Sequence, residues 1–211
     1  MPWLQLIGVY MNNERKTKIR AIALAAVLAA LAAILQIFEF PLPFLIPAFV
    51  KFDFSDLPAL IASFALGPFY GAGVCLVKNV IHLLTSSSAG IGELANFLIG
   101  VFFVVPAGMI YKHKKTKSSA VRGACIGIVA GAAMSFPVNL YITYPFYSKL
   151  MPIDTILEMY NNIFNISTQL WQALLIFNVP FTLLKFAADT LITVLIYKHI
   201  SPLLHRFVGK E

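Results

Sequence analysis

The sequence predicts an all-α membrane protein with six transmembrane helices, and its composition is the first observation behind that prediction. Of the 211 residues, 59% are hydrophobic and only 12% are charged, and the mean hydropathy is +0.82. A soluble domain carries about 25% charged residues, so this chain has too little charge to cover a soluble surface. The second observation is that the apolar residues form runs long enough to cross a bilayer. Together they exclude a soluble enzyme, a disordered protein and a small disulfide-bonded scaffold, and they favour one integral-membrane domain over residues 1–211.

Six apolar runs are predicted to be helices, and residues that interrupt a helix or carry charge separate them. The first run, Ile19–Phe38, ends before the proline-rich stretch Pro41–Pro47, because proline does not fit inside a helix. Gly67 and Pro68 divide the second run from the third, and the turn-forming stretch TSSSAG at residues 85–90 ends the third. The second run is short and is expected to be tilted, interrupted or shielded by its neighbours. The five later runs are Leu57–Leu66, Phe69–Leu84, Leu94–Tyr111, Val121–Tyr141 and Leu174–Tyr197.

Basic residues are distributed unevenly about these six runs. With six spans, twelve of the sixteen Lys and Arg residues fall on one side of the membrane. Only Lys51 and Lys149 fall on the other side, and Lys78 and Lys185 lie within spans. Because basic residues are enriched in cytoplasmic loops, both termini are predicted to be cytoplasmic. The twelve residues are Arg15, Lys16, Lys18, Arg20, Lys112, Lys114, Lys115, Lys117, Arg122, Lys198, Arg206 and Lys210.

Three segments outside the spans follow from this topology. Residues 1–18 are predicted to form an N-terminal cytoplasmic segment, residues 39–56 an external lid loop, and residues 148–170 a second external loop. Within the first segment, Pro2–Tyr10 is apolar but too short to span. We interpret it as an interfacial segment, or as sequence upstream of a start at Met11. The positive charges follow this stretch instead of preceding it, which is not the pattern of a cleavable signal peptide.

The first span carries alanines at intervals of four residues, and we call this set the alanine ladder. Residues four apart share one face of a helix, so the ladder is a smooth face that another helix can approach closely in lipid. One interpretation is packing within the bundle, and the other is a docking face for a separate membrane subunit. The ladder consists of Ala21, Ala25, Ala29 and Ala33.

The external lid loop combines aromatic, charged and proline residues, as binding loops often do. Lys51 and Asp53 have no evident structural role in it and are candidate ligand contacts. Ser55 and Asp56 directly precede the second run, where a hydroxyl or a carboxylate can cap a helix N-terminus. We therefore assign Asp56 a capping role.

Ionisable side chains inside membrane spans are costly, so they usually face the bundle interior, a partner or a cavity. Lys185 lies three residues after Thr182 and four before Asp189, and we assign it a ligand role. The alternative is that Lys185 and Asp189 neutralise each other. Lys78 is likewise open to pairing with a carboxylate elsewhere. His82 has no second metal ligand at a suitable spacing and is interpreted as a hydrogen-bonded core histidine.

Polar side chains near the external ends of the later spans are expected to converge on one pocket. An apolar pocket with a few amides and one ammonium group suits a flat heterocycle that carries a polar tail. The sequence has no GxxxxGK[ST] phosphate loop, so we expect energy for transport to come from an ion gradient or a partner. The candidates contributed by the spans are Asn79, Glu93, Asn96, Asn139, Tyr141, Thr182 and Lys185.

Five runs carry a family pattern: KFDFSDLPALI (residues 51–61), LGPFYGAGVCLVKNVIHLL (66–84), GELANFLIG (92–100), PVNLYITYPFY (137–147) and PFTLLK (180–185). In this order they resemble the substrate-binding S components of energy-coupling factor (ECF) transporters, and in particular the riboflavin-specific branch. The resemblance covers about residues 19–199. It implies six transmembrane helices, no enzymatic activity, no cofactor, and a vitamin site near the extracellular side.

The resemblance also implies a function and a set of partners. The chain would capture riboflavin, its transported ligand, for ATP-driven uptake by one transmembrane coupling protein, EcfT, and two ABC-type ATPases. The loaded subunit would topple within the membrane and release the vitamin inward. In that family the small-residue face of the first helix contacts the coupling protein, and the alanine ladder matches this face.

Individual site residues follow from the same resemblance. Asn139 matches an amide that contacts riboflavin from the fifth helix, and Lys185 matches the lysine of a sixth-helix pattern resembling P-F-N-x-x-K. Thr182 stands where that pattern has asparagine, and threonine is shorter and lacks the planar amide. We interpret Asn178 as lying on a different helix face from Lys185, so it is not assigned as a replacement. By position alone, the candidate apolar lid contacts are Leu45 and Phe49.

Two alternatives remain open from the sequence. Because of Thr182, the ligand could be another flat heterocycle, such as folate, thiamine or a queuosine precursor. A stand-alone secondary transporter is the second alternative, although such proteins usually have internal repeats and more spans. An intramembrane enzyme is disfavoured, because neither GxSxG nor HExxH occurs in the chain.

Overall fold

A computed structural model describes the backbone of residues 2–86, 88–164 and 168–208, and the side chains of residues 14–86, 88–163 and 168–197. Apart from one pair of two-residue strands, the described elements are helical. The helices are α1 Pro2–Ile37, α2 Asp56–Ala65, α3 Pro68–His82, α4 Ile91–His113, α5 Lys117–Val138, α6 Tyr144–Tyr147, α7 Ile153–Phe164, α8 Leu170–Ala173 and α9 Val179–Val208, and the strands are β1 Phe40–Pro41 and β2 Lys51–Phe52.

Two π-helical turns make longer continuous helices out of four of these elements. The turn Asn139–Thr143 joins α5 to α6, and the turn Leu174–Asn178 joins α8 to α9. A π-helical turn inserts one extra residue per turn and is frequent at functional sites. Both turns lie at the same end of the bundle as the lid loop, where they change which side chains face inward.

Four helical stretches are long and apolar enough to cross a membrane, by length and composition. Helices α2 and α3 complete the six predicted segments but contain 10 and 15 residues, which is shorter than the roughly 20 residues of a full span. Nine of the ten residues of α2 are buried, so its neighbours shield it. The four long stretches are Glu14–Ile37, Ile91–His113, Lys117–Tyr147 and Leu170–Tyr197.

Segments outside the spans contain more secondary structure than the sequence indicates. Strands β1 and β2 pair antiparallel within the predicted lid loop of residues 39–56, and α7 lies within the predicted loop of residues 148–170. Residues 165–167 of that loop lie outside the described part of the chain. The side chains of Pro2–Tyr10 and of the predicted basic cluster Lys198, Arg206 and Lys210 also lie outside the described residues.

Two groups of buried apolar side chains hold the bundle together. The larger group joins α1, α2, α3 and α4 to α5 and α9, and it includes the stacked rings of Phe103 and Phe186, whose centroids are 4.1 Å apart. The smaller group lies at the lid end and joins the lid loop to α6, α7, α8 and the start of α9. The lid loop is therefore packed as part of the protein core.

Glycines bring α4 and α5 into close contact. Gly123, Gly127 and Gly131 recur every four residues along α5, on one face of the helix. A Cβ atom at Gly123 would lie 2.6 Å from the backbone oxygen of Ala107, and one at Gly127 would collide with the backbone oxygen of Phe103. Small residues permit this backbone approach in membrane helices, so the glycine stripe determines how closely these two helices pack.

The alanine ladder of α1 packs inside the bundle. Ala21, Ala29 and Ala33 are 7%, 3% and 5% exposed, and Ala25 is partly buried. Ala29 lies in the larger apolar group with α2 and α3. The face pointing away from the bundle carries Ile22 and Val27, at 60% and 65% exposed. It also carries other alanines, namely Ala23, Ala26 and Ala30. The four ladder residues therefore offer little surface to a separate subunit.

Candidate functional site

One cavity lies at the lid end of the bundle, between the lid loop and the ends of the helices. Its volume is about 190 Å³, many times the space that one buried water needs. Residues from the end of α1, the lid loop, α3, α4, both π-helical turns, α6 and α9 line it. Its walls therefore combine segments that are far apart in the chain.

Aromatic contacts fasten the lid loop over this cavity. Ile46 and Phe52 of the loop are 0% and 5% exposed. The ring of Phe49 meets the rings of Tyr144, Tyr147 and Tyr160 edge-on, at centroid distances of 6.5, 6.0 and 6.4 Å. Edge-to-face contacts at such distances are favourable. Phe49 thus forms part of the cavity wall and part of the lid's anchor.

A buried ion pair joins the lid loop to α9. The Nζ atom of Lys185 donates a hydrogen bond of 2.8 Å to Oδ2 of Asp53 and lies 3.2 Å from Oδ2 of Asp56. The backbone amide of Ser55 donates to Oδ1 of Asp53 at 2.8 Å. Burial alone would raise the pKa of Asp53, but the nearby ammonium groups of Lys185 and Lys78 outweigh burial and lower the pKa below its ordinary value. Asp53 is therefore an ionised carboxylate that holds the lid to α9.

A second lysine completes this buried network. Lys78 of α3 is fully buried and donates to Oγ of Ser55 at 2.5 Å and to Oδ1 of Asp56 at 2.6 Å. Lys78 thus has the carboxylate partner that the sequence left open. Asp56 lies in the first turn of α2, as the predicted placement at the helix N-terminus requires, but its carboxylate pairs with Lys78 and the Ser55 side chain makes no capping hydrogen bond to α2. Asp56 is therefore the buried counter-ion of Lys78 as well as an acidic residue at the N-terminus of α2.

Asp189 is not the partner of Lys185 suggested as an alternative by the sequence. It is 0% exposed, and neither of its carboxyl oxygens has a hydrogen-bond partner among the described residues. The ammonium group of Lys185 points instead to the lid loop, 132 residues earlier in the chain. The spacing of four residues placed Lys185 and Asp189 on one face but could not reveal the competing carboxylates.

Two amide side chains face the cavity with their hydrogen-bonding groups available. Asn96 of α4 and Asn139, the first residue of the first π-helical turn, both line the cavity and are partly buried. Neither makes a side-chain hydrogen bond to another described residue. Each amide offers a donor and an acceptor. These groups can recognise a heterocycle edge that presents carbonyl and N–H groups side by side.

Asn178 belongs to the cavity wall, which corrects the interpretation that it lies on a different face from Lys185. Seven residues are about two helical turns, so Asn178 and Lys185 share a face, and both line the cavity. Oδ1 of Asn178 accepts a 2.7 Å hydrogen bond from the hydroxyl of Tyr160, and the hydroxyls of Tyr160 and Tyr144 are also hydrogen-bonded to each other. The hydroxyl of Thr182 donates a 2.8 Å hydrogen bond to the backbone oxygen of Asn178.

Acidic and basic groups surround the opening of the cavity. Nδ1 of His82 is 2.9 Å from Oε1 of Glu93, so His82 is a hydrogen-bonded histidine, as expected. The hydroxyls of Ser86 and Ser88 each donate to Oε2 of Glu93 at 2.9 Å. Lys51 is paired with Glu39, the second residue after the end of α1. These contacts connect the lid loop, α3 and the start of α4 around the opening.

The cavity brings together eight of the predicted substrate-binding residues, which are Phe49, Lys51, Asp53, Glu93, Asn96, Asn139, Thr182 and Lys185. Leu45 packs against the smaller apolar group instead. Asn79 is buried behind the wall, where it accepts a 3.1 Å hydrogen bond from Gln36. Tyr141 is 74% exposed and does not line the cavity, because it sits on the outward side of the π-helical turn.

Sequence reasoning missed several cavity residues. Tyr144 and Tyr147 carried a signal, since both lie in the quoted run PVNLYITYPFY. Gln36 and Glu39 carried none, because single polar residues in the last turn of the first span and just after it are ordinary there. The missed residues that line the cavity include Gln36, Glu39, Ser88, Thr143, Tyr144, Tyr147, Asn178 and Phe181.

The family of the chain is decided by a sequence model that matches residues 20–197, described as "ECF transporter, substrate-specific component". The chain belongs to this family. A solved structure described as the S component of a bacterial ECF transporter matches with a TM-score of 0.70 and 29% identity, covering 89% of this chain and 98% of that one. Members of this family are integral membrane subunits of a transporter, so this ECF substrate-specific component is a multi-pass membrane protein and not an enzyme.

Curated relatives match the chain over most of its length. The riboflavin transporter RibU of Staphylococcus aureus is 30% identical over 199 residues, covering 93% of this chain and all of the relative. The riboflavin transporter FmnP of Bacillus subtilis is 27% identical, covering 88% and 94%. The riboflavin transporter RibU of Streptococcus thermophilus is 28% identical, covering 96% and 92%.

Proposed function

We propose that this ECF substrate-specific component binds riboflavin in the lid-end cavity and delivers it to an energising module for uptake. The observation that carries the proposal is the cavity itself, enclosed by the lid loop in a chain that is similar to riboflavin transporters over nearly its whole length. A pocket with apolar walls and a few convergent polar groups is typical of a site for a small heterocyclic ligand.

The chemistry of the lining matches the two ends of riboflavin. The amides of Asn96 and Asn139 would bind the carbonyl and N–H edge of the isoalloxazine ring. The rings of Phe49, Phe181 and Phe186, which all line the cavity, would pack against the apolar part of that ring. The charged groups at the opening would hydrogen-bond the ribityl hydroxyls. Riboflavin is the transported ligand in this account, and no cofactor is required.

Lys185 would act mainly by holding the lid. Of its three N–H groups, one bonds Asp53 and a second approaches Asp56. The third remains for a ligand oxygen. The hydroxyl of Thr182 already donates a hydrogen bond within the helix, so it would offer a ligand only an acceptor. Asn178 would hold the cavity wall through its hydrogen bonds with Tyr144 and Tyr160. This division of roles explains how threonine at position 182 is compatible with a riboflavin site.

The topology and partners complete the proposal. Six spans would place both termini and the basic turn of residues 112–122 in the cytoplasm, and the cavity on the extracellular side. Riboflavin would enter beneath the lid loop of residues 39–56, beside the loop of residues 148–170. On the cytoplasmic side the chain would pair with a transmembrane coupling protein of the EcfT type and two ABC-type ATPases.

Uptake of labelled riboflavin by cells lacking their own riboflavin importer tests this proposal. We expect uptake when the chain is produced with the coupling protein and both ATPases, and loss of uptake when the ATPases cannot hydrolyse ATP. Equal uptake by the chain alone, abolished by collapsing the proton or sodium gradient, would instead establish a self-sufficient secondary transporter.

A further inference from the structure

A second cavity lies at the opposite end of the bundle, and the riboflavin account gives it no role. We call it the basal groove. It lies where the end of α2, the end of α4, the start of α5 and the later part of α9 meet, and its volume is about 490 Å³. The lid-end cavity lies at the end of α3 and the start of α4, and the two cavities share no lining residue.

The walls of the basal groove are apolar. Phe64, Tyr111 and Tyr197 form a cluster of three rings with centroid distances of 5.1, 6.0 and 6.3 Å. Val121 and Val194 line the groove from α5 and α9 and are 47% and 41% exposed. In a membrane protein an exposed apolar side chain contacts either lipid or a partner subunit, and these two valines suit contact with acyl chains.

The mouth of the groove is basic. Lys115 and Lys117 line it, together with Thr116, whose hydroxyl caps the N-terminus of α5 by accepting from the Ser119 amide at 3.2 Å. No Asp or Glu occurs between residues 94 and 153, whereas five Lys or Arg residues occur between 112 and 122. Among the described residues, no carboxylate pairs with Lys115 or Lys117, and both side chains are exposed. The positive end of α5 adds to this preference for an anion.

A polar atom inside the groove has no partner. Thr193 lines the groove and is 0% exposed, and its Oγ1 atom makes no hydrogen bond to another described residue. A buried hydroxyl without a partner is costly. An ester carbonyl of a ligand that enters the groove could accept a hydrogen bond from the Thr193 hydroxyl.

We propose that the basal groove binds an anionic phospholipid, with one acyl chain against the aromatic cluster and the phosphate group between Lys115 and Lys117. Basic pockets between transmembrane helices suit anionic lipid head groups, and each nearby lysine strengthens the attraction. A zwitterionic lipid has the same acyl chains but adds a positive charge beside these lysines. The site therefore favours phosphatidylglycerol over phosphatidylcholine. The proposal does not depend on which vitamin the other cavity binds.

Native mass spectrometry of the full chain in detergent, titrated with dioleoyl phosphatidylglycerol or dioleoyl phosphatidylcholine, tests this site. We expect the first phosphatidylglycerol to bind roughly 10- to 30-fold more tightly than phosphatidylcholine, from two lysines. The double variant Lys115→Ala/Lys117→Ala should lose this preference, and Lys149→Ala, in the loop at the lid end, should keep it. Val121→Trp, which fills the groove from an exposed position, should weaken the binding of both lipids.

The outcomes separate the groove from general attraction of a basic protein to anionic lipid. Equal affinity of the wild-type chain for the two lipids would overturn the proposal. An equal loss of preference in Lys149→Ala, or unchanged lipid binding in Val121→Trp, would also overturn it, since either would place the lipid elsewhere. Riboflavin binding should be unchanged in all three variants, so failure here and failure of the proposed function are distinguishable.

Discussion

Replacing Lys185 by methionine should destabilise the protein as well as weaken riboflavin binding, because Lys185 is the cation that holds the lid. The substitution keeps the length of the side chain but leaves Asp53 buried, 3% exposed, without its 2.8 Å partner. Breaking a buried ion pair from one side costs about 3–5 kcal/mol. For a chain of this size, that corresponds to a fall in Tm of roughly 6–20 °C.

Two comparisons isolate the ion pair from other effects of the substitution. Lys51→Met removes a lysine from the lid loop itself, but the pair of Lys51 with Glu39 is partly exposed, with side chains 35% and 20% exposed. We expect it to cost less than about 1 kcal/mol. Asp53→Asn combined with Lys185→Met removes both charges and should be less destabilised than the sum of the two single variants by at least about 1 kcal/mol.

The assay is thermal unfolding in detergent, followed by quenching of riboflavin fluorescence at a temperature where each variant is folded. A lid that is no longer held must be ordered when the ligand binds, so affinity should fall roughly tenfold, equivalent to about 1.4 kcal/mol. Strictly additive single and double variants, or a Lys185→Met protein as stable as Lys51→Met, would refute the reasoning that this ion pair fastens the lid.

Three other predictions concern packing and ligand contact. Gly127→Val should lower the free energy of unfolding by about 1–3 kcal/mol because the new side chain meets the α4 backbone. Gly73→Val, with open space around its Cβ, should not lower it. Similar Tm values for the two variants would contradict the close contact of α4 and α5. Asn139→Leu should raise the riboflavin Kd by roughly tenfold at unchanged Tm, and an unchanged Kd would remove Asn139 from the site. Ala29→Leu should destabilise the protein by about 1–3 kcal/mol. Ala26→Leu, on the exposed face, should destabilise it by less than about 0.5 kcal/mol. Thermal unfolding measures both, and the reverse order would mean that the ladder faces outward.

The helices could be predicted from the sequence because hydrophobicity and helix-breaking residues are local signals. The predicted start of the second segment at Leu57 lies one residue after the start of α2. The break at Gly67-Pro68 lies between α2 and α3, where Gly67 has a φ of +119° that favours glycine. The lid loop was also visible, because its prolines and charges interrupt the apolar pattern.

The partners of the buried charges could not be predicted, because they are determined by the tertiary fold. Lys185 and Asp53 are 132 residues apart in the chain, and the helix spacing offered only Asp189 as an alternative partner for Lys185. Asp56 lies in the first turn of α2 as predicted, but its partner Lys78 approaches from another helix and could not be predicted. Local rules rank nearby candidates but give no information on the charges that packing brings close.

Side-chain direction near the cavity was the other property that periodicity could not supply. The π-helical turn at residues 139–143 shifts the helical register, so Tyr141 faces outward. The glycine stripe of α5, in contrast, has a clear signal in the sequence, namely its spacing of four residues. Only the alanine ladder was interpreted as a small-residue face, so this signal was not used. Small-residue stripes on both helices are used for packing within this chain.

The central claim is that this ECF substrate-specific component binds riboflavin by itself, in the cavity beneath the lid. The most direct test is a fluorescence-quenching titration of the purified full chain with riboflavin, and competition by unlabelled folate and thiamine. The account predicts saturation at one riboflavin per chain, loss of affinity in Asn139→Leu, and no competition by the other two vitamins. A folded chain that leaves riboflavin fluorescence unchanged, or that binds folate or thiamine instead, would contradict it.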